Sequence, residues 1–258
     1  MIGFIKRGTK ALLRRVGYEI RPIPPPPEPD FPVELAGDDA KYYTRWATPC
    51  PLFTPWVGHP EFQQIYDGVA PYTNVPPHRC YILMSLARYA ACLEGDFAEC
   101  GVYKGGTALM LARVINSQQK KLYLFDSFEG LPAPTPTKDI YFNKGDYVGS
   151  VASVKQLLAE FHAFLNIREG WMPQTFAGLE QNRYAFVHVD VDIYESTLDC
   201  CKYFYSRMVS GGVLVFDEYC EAVAHGEKLA VDEFFADKPE YPIALPTGQA
   251  LVLKTPLS

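Results

Sequence analysis

Ala185-Phe186-Val187-His188-Val189-Asp190-Val191-Asp192 and Gly212-Val213-Leu214-Val215-Phe216-Asp217-Glu218 decide the fold. In each, a run rich in Val and Phe stops at a carboxylate. Such runs have the composition of buried strands, inside which carboxylates are depleted. Apolar runs ending in acids fit an open parallel sheet, where ligands bind beyond the carboxyl ends of the strands. If the two strands are neighbours, Asp190, Asp192, Asp217 and Glu218 converge on one small volume. Like charges that close raise one another's pKa unless a cation neutralises them. A cluster of oxygen donors suits a hard divalent ion such as Mg²⁺. Solvated strand ends or helix N-caps are the plainer alternative for the same residues.

On either side of these runs the pattern alternates between strand and helix, as in a doubly wound α/β sheet. Helices are expected over residues 78–94, 106–116, 151–165, 196–208 and 228–235. Strands are expected over 96–100, 122–125, 166–168, 185–189 and 213–216. Two last runs, 241–245 and 250–254, flank Pro246-Thr247-Gly248-Gln249 and read as a closing hairpin. The expected fold is therefore a Rossmann-like, seven-stranded, mostly parallel sheet with a C-terminal antiparallel hairpin and helices on both faces.

Upstream the chain changes character. Residues 1–22 carry Lys6, Arg7, Lys10, Arg14, Arg15 and Arg21 against Glu19, a local +5 within a total of −6. Wound as a helix, Ile2, Ile5, Leu12, Leu13 and Val16 share one face and the basic residues the other. Residues 1–21 thus read as a basic amphipathic helix that either lies on an anionic membrane surface or docks on its own domain or a second subunit. Residues 22–32, with seven prolines, form a stiff linker. Residues 33–77, rich in aromatics, Pro and Gly, are an irregular lid or extension, and Trp46 and Trp56 are candidates to stack on an acceptor or to pack against a subunit. The catalytic domain spans 78–258.

The negative balance outside the N-terminus argues against nucleic acid, which needs a basic face. Seven cysteines without a CxxC pair, several in apolar periodic stretches, read as reduced thiols of a cytoplasmic protein. Attachment to the inner membrane surface through residues 2–16 is the peripheral variant of that placement.

Phe97-Ala98-Glu99-Cys100-Gly101-Val102-Tyr103-Lys104-Gly105-Gly106-Thr107 is a strand, a glycine-bearing turn and a helix start. Its spacing is not the Gly-x-Gly-x-x-Gly of a pyrophosphate cradle. Glu99 beside the turn would repel phosphate and could hold a cationic ligand; a purely structural βα turn has equal standing. The next strand ends in Asp126-Ser127, and an acid there commonly accepts hydrogen bonds from ribose hydroxyls, although a turn cap fits as well. Together these features imply a nucleoside without a pyrophosphate, the shape of S-adenosylmethionine.

Four segments then follow in order: Glu99-Cys100-Gly101-Val102-Tyr103-Lys104-Gly105-Gly106, Phe125-Asp126-Ser127-Phe128-Glu129-Gly130-Leu131-Pro132, His188-Val189-Asp190-Val191-Asp192-Ile193-Tyr194 and Phe216-Asp217-Glu218-Tyr219. With Ala230-Val231-Asp232-Glu233-Phe234 they resemble the macrocin O-methyltransferase family, over roughly residues 72–254. The resemblance implies a class I, metal-dependent enzyme that moves a methyl group from S-adenosylmethionine to a sugar hydroxyl, and a homo-oligomer. It implies that Glu99, Gly101 and Gly105 line the methionine end of the cofactor, with Cys100, Gly106 and Thr107 in the same turn. It places Asp126 and Ser127 at the ribose and Gly170 and Trp171 at the adenine. Asp190, Asp217 and Glu218 match its metal ligands, and Asp192 its general base. Many relatives carry Asp-Asp-Tyr where this chain has Asp217-Glu218-Tyr219.

The expected activity is thus methyl transfer to a hydroxyl of a glycoside or saccharide, in a natural product or a surface or lipid-linked glycan. The rivals are a catechol or phenol O-methyltransferase and a non-catalytic S-adenosylmethionine-binding protein. His188, inside a strand, is expected to be a satisfied core histidine, and His225 a loop histidine nearer the site. Asp232, Glu233 and Lys228 are expected on an exposed helix face.

Overall fold

The computed structural model describes residues 54–256. The basic segment 2–16, the proline linker 22–32, Trp46 and residues 33–53 of the 33–77 extension lie outside the described residues. The unit that begins at Gly58 contains everything below. No helix among the described residues is long and apolar enough to cross a membrane.

Its elements in order are α1 (Pro60–Val69), α2 (Pro77–Ala91), β1 (Asp96–Cys100), α3 (Gly106–Ile115), β2 (Leu122–Asp126), α4 (Val151–Leu157), β3 (Leu165–Glu169), β4 (Tyr184–Val189), α5 (Tyr194–Phe204), β5 (Met208–Phe216), α6 (His225–Phe235), β6 (Ile243–Ala244) and β7 (Ala250–Leu253). The sheet runs β3-β2-β1-β4-β5-β7-β6. β1 to β5 are parallel, and β7 is antiparallel to both neighbours. This is the Rossmann-like sheet with a closing hairpin that the alternating pattern predicts.

Period-two alternation sorts the strand residues between two faces. Ala98, Cys100, Val187, Val189, Leu214 and Phe216 pack with Cys200, Cys201 and Phe204 of α5 and Val231 and Phe235 of α6. Phe125, Phe204 and Phe216 are fully buried, each contributing on the order of 2–3 kcal/mol of apolar transfer. The other face carries Phe97 and Phe186, stacked at 5.2 Å, and lies under α2. Glu99 and His188 follow them on that same face and are directly in register.

Several boundaries shift from the sequence pattern, most of all those leading into β3 and β5. The helix expected over 151–165 stops at Leu157 and gives way to a 3₁₀ turn, Ala159–Phe161, because the chain must bring the Phe164 carbonyl to the Leu122 N–H (3.0 Å) and start β3 at Leu165. The helix expected over 196–208 ends at Phe204, and β5 starts at Met208. Ser210-Gly211-Gly212 looks like a turn, but it is an irregularity inside β5: Tyr184 pairs with Met208 and Phe186 with Val213.

Candidate active site

Each of the five parallel strands delivers a residue at its carboxyl end to one cavity of about 260 Å³. Gly101 follows β1, Asp126 ends β2, Gly170 follows β3, Asp190 follows β4 and Glu218 lies just beyond β5; all five line it. The strand order reverses between β1 and β4, the switch point where such sheets bind ligands. There the two turns touch. A Cβ on Gly101 would stand 1.7 Å from the Asp190 carbonyl oxygen, and its φ is +85°. Only glycine satisfies both conditions.

Asp126 organises the cradle beside Gly101. Its Oδ2 accepts the N–H groups of Val102 (2.7 Å) and Tyr103 (2.8 Å), and its Oδ1 accepts that of Phe128 (2.6 Å). A carboxylate has about four lone-pair sites, so one on Oδ1 is left for a ligand hydroxyl. Ser127, Thr107, Gly170 and Trp171 also line the cavity. This donor set fits a nucleoside.

The carboxylates divide into two groups. Asp190, Asp192 and Glu218 line the cavity, and each offers an oxygen within 4.8 Å of the others. Glu218 Oε2 is buried without a hydrogen-bond partner. Burial, then the neighbouring carboxylates Asp217 and Asp146, push Asp192 up to about 7. Burial and Asp217 likewise push Asp190 upward, and burial and Asp190 push Glu218 upward. Three convergent oxygen donors, only one of which is reached by an arginine, fit a hard divalent cation.

Asp217 heads the other group, although it and His188 also offer ligand atoms within 4.8 Å of Asp190. Parity along β5 puts it on the α2 face, fully buried and off the cavity wall. Its Oδ1 is 3.3 Å from His188 Nε2 and accepts from Gln249 Nε2 (2.7 Å), and its Oδ2 accepts from Arg79 Nη1 (3.0 Å). His188 Nδ1 lies 2.9 Å from Glu99 Oε1. Burial would lower the imidazole pKa, but hydrogen bonds to Asp217 and Glu99 raise it well above its usual value. Burial would raise Asp217, but His188 and Arg79 prevail and hold it at about 2. Both imidazole nitrogens face carboxylates, so His188 is a paired core histidine.

The sequence can now be compared with known proteins. The family model for macrocin O-methyltransferase (TylF) matches residues 85–241, more than half of the chain. The chain belongs to the macrocin O-methyltransferase family. It is 28% identical over 140 residues to a tetracenomycin 4'-O-methyltransferase of Streptomyces olivaceus, 8-demethyl-8-(2,3-dimethoxy-alpha-L-rhamnosyl)-tetracenomycin-C 4'-O-methyltransferase, covering 49% of this chain and 54% of that protein. It is 26% identical over 143 residues to mycinamicin III 3''-O-methyltransferase of Micromonospora griseorubida, covering 50% and 56%. The chain thus spans about half the length of the curated relatives it matches. Its fold is similar to the solved O-methyltransferase NovP, with a TM-score of 0.62 at 22% identity over 72% of this chain and 83% of that one.

Within this family member, not every residue singled out from sequence reaches the cavity. Glu99 turns its carboxylate to His188, with Oε2 buried and unpartnered. Cys100 points into the core beside Cys200. Gly105 caps α3 at φ +87°, and Gly106 lets α3 approach Tyr72 and Thr73, where a Cβ would meet backbone at 2.8 Å. His225 is the exposed first residue of α6 and lies off the cavity wall. Lys228 pairs with Asp232, which also accepts from the Tyr219 hydroxyl (2.6 Å), and Glu233 accepts from Tyr194.

Sequence reasoning missed Arg79, whose guanidinium also reaches Glu218 Oε1 (3.2 Å), Glu221 and the Thr247 carbonyl (3.1 Å). It missed Glu227, fully buried in α6, whose Oε1 accepts the Glu218 N–H at 2.9 Å. It missed Tyr147 in the loop after β2, which lines the cavity. The available signal for Asp217 was parity: it lies two residues from Val215, the register partner of His188.

Proposed function

We propose that this protein transfers a methyl group from S-adenosylmethionine to a hydroxyl of a glycoside or saccharide, assisted by a divalent cation such as Mg²⁺. One observation carries the reading: the convergent carboxylates Asp190, Asp192 and Glu218 share a cavity wall with the Gly101–Asp126 cradle. The family and the sugar-directed names of the relatives support the acceptor class.

When bound, S-adenosylmethionine supplies an electrophilic methyl on sulfur and the cation supplies positive charge at the acceptor oxygen. Asp126 holds the ribose through its free lone pair, Gly101 lets the methionine end approach the backbone, and Gly170 and Trp171 bound the adenine. Asp190 and Glu218 hold the cation, with Arg79 and Glu227 fixing Glu218 from behind. Asp217 serves this centre through Arg79 and His188 rather than as a direct ligand. Asp192 would accept the proton that the acceptor hydroxyl loses as it is methylated. A cation beside it would lower its pKa, so Asp192 would act as a weak base on a hydroxyl that the cation has already acidified. Holding the hydroxyl in line with the methyl group accounts for most of the acceleration.

Calorimetric titration with S-adenosylhomocysteine in Mg²⁺ buffer tests the cofactor half, with micromolar one-to-one binding expected. Absence of binding to folded protein would overturn the reading. A panel of glycosides and catechols then tests the acceptor half, and transfer confined to catechols would move the assignment to phenol methylation. Homo-oligomerisation and membrane attachment through residues 2–16 are separate proposals, tested by light scattering and by vesicle flotation with and without that segment.

A further inference from the structure

Residues 127–150, between β2 and α4, form no helix or strand, yet they return over the strand ends and line the cavity with Gly130, Leu131, Pro132 and Tyr147. A long irregular loop over a site usually serves the ligand. This one is pinned on both sides of Tyr147. The Leu131 N–H donates to the Asp146 carbonyl (2.8 Å) and the Gly145 N–H to the Leu131 carbonyl (2.9 Å). A Cβ on Gly130 would stand 2.5 Å from the Asp146 oxygen, and one on Gly149 would stand 2.4 Å from the Tyr103 oxygen.

Between these close approaches Tyr147 sits at φ +63°, and its neighbour Tyr103 at φ +51°. Positive φ is costly for a bulky side chain and persists where the surroundings impose it, commonly at ligand sites. The two rings meet edge to face with centroids 6.1 Å apart, and both line the cavity. Tyr147 is 45% exposed, so its ring borders both the cavity and solvent. Neither phenol hydroxyl bonds a protein group among the described residues. Burial, then Asp192, Glu218, Asp146 and Asp190, raise the Tyr147 pKa, which places its ring within electrostatic reach of the cavity carboxylates and keeps it neutral.

A sugar ring has an apolar C–H face and a hydroxyl edge, and an aromatic face attracts polarised C–H groups. Within the function proposed above, on which this inference rests, we infer that Tyr147, braced by Tyr103, is the acceptor platform: the C–H face of the acceptor sugar lies on the Tyr147 ring, and the hydroxyl to be methylated turns toward Asp190, Asp192 and Glu218. Tyr147 is thereby a specificity-determining residue whose ring, not its hydroxyl, does the binding.

The test uses the full chain with Mg²⁺ and methyl α-L-rhamnoside as the acceptor. Tyr147→Ala is expected to raise the acceptor KM about five- to tenfold, the size of one aromatic contact, while the S-adenosylhomocysteine Kd stays within about twofold. Tyr147→Phe, which keeps the ring, should hold the KM within about twofold of the parent. An unchanged KM in Tyr147→Ala overturns the platform, and so does a Phe variant as impaired as the Ala variant. A parent protein that binds S-adenosylhomocysteine but shows no saturable transfer to this sugar also overturns it. A parent that binds no S-adenosylhomocysteine overturns instead the function on which the platform rests. If Tyr147→Ala loosens the loop, seen as a lowered Tm, Tyr147→Leu keeps the bulk without the π face, and the same KM rise is required of it.

Discussion

Two groups of charged side chains meet at the ends of β4 and β5, and they are built in opposite ways. On the α2 face, Glu99, His188, Asp217 and Arg79 alternate in sign and bond one another in the dry interior. On the cavity side, Asp190, Asp192 and Glu218 are all acids, and among the described residues the only cation bonded to any of them is Arg79, at Glu218. Burying a charge without a partner costs several kcal/mol, so proteins rarely leave one bare without use for it. The contrast separates the acids that hold the structure together from those reserved for a ligand, although Asp217 and Glu218 are adjacent in sequence.

The largest effect should come from breaking the cavity group. Asp190→Asn is expected to lower turnover by at least about 10³-fold while S-adenosylhomocysteine affinity changes less than about threefold; parallel loss of both in calorimetry and kinetics would detach Asp190 from the cation. Breaking the paired group should instead cost stability. Arg79→Met strands Asp217 and is expected to destabilise the fold by about 3–5 kcal/mol in urea denaturation. A loss below about 1 kcal/mol would mean that His188 and Gln249 suffice to hold Asp217.

A third experiment sharpens the contrast through pH. Asp192 ionises at about 7 when folded, against about 3.9 unfolded. The unfolded chain therefore loses its proton first, and stability should fall as pH rises from about 4 through about 7. A divalent cation should offset that loss, so MgCl₂ should raise Tm by a few degrees at pH 8 and hardly at pH 5 in differential scanning fluorimetry. An equal rise at both values would place the ion elsewhere. The smallest effect is expected from Gln249→Leu, which removes one of the hydrogen bonds to Asp217 and should cost about 1–2 kcal/mol without changing S-adenosylhomocysteine affinity.

The sheet and the cavity-lining acids were legible because they depend on local pattern: apolar runs that stop at Asp190 and Asp217, a glycine turn at Gly101, an acid at Asp126. What was not legible depends on distant partners. Arg79 stands 138 positions from Asp217, in a helix whose sequence reads as ordinary amphipathic surface. Glu99 resembled a cofactor contact because it stands beside the Gly101 turn, yet its carboxylate meets His188, its register partner. Tyr147 sits in a loop without periodicity, where no pattern reports orientation. Adjacency in sequence grouped Asp217 with Glu218, and the pleat of β5 separates them.

The resident guanidinium at Asp217 and Glu218 also bears on how the protein lives with a fluctuating metal supply. Because Arg79 neutralises the innermost acids from within the chain, folding does not have to wait for an ion to arrive. With a cation at the cavity acids as proposed, chelation is expected to silence the enzyme while leaving its near-ultraviolet circular dichroism intact, so that metal availability would govern how fast each molecule works and not how many molecules survive.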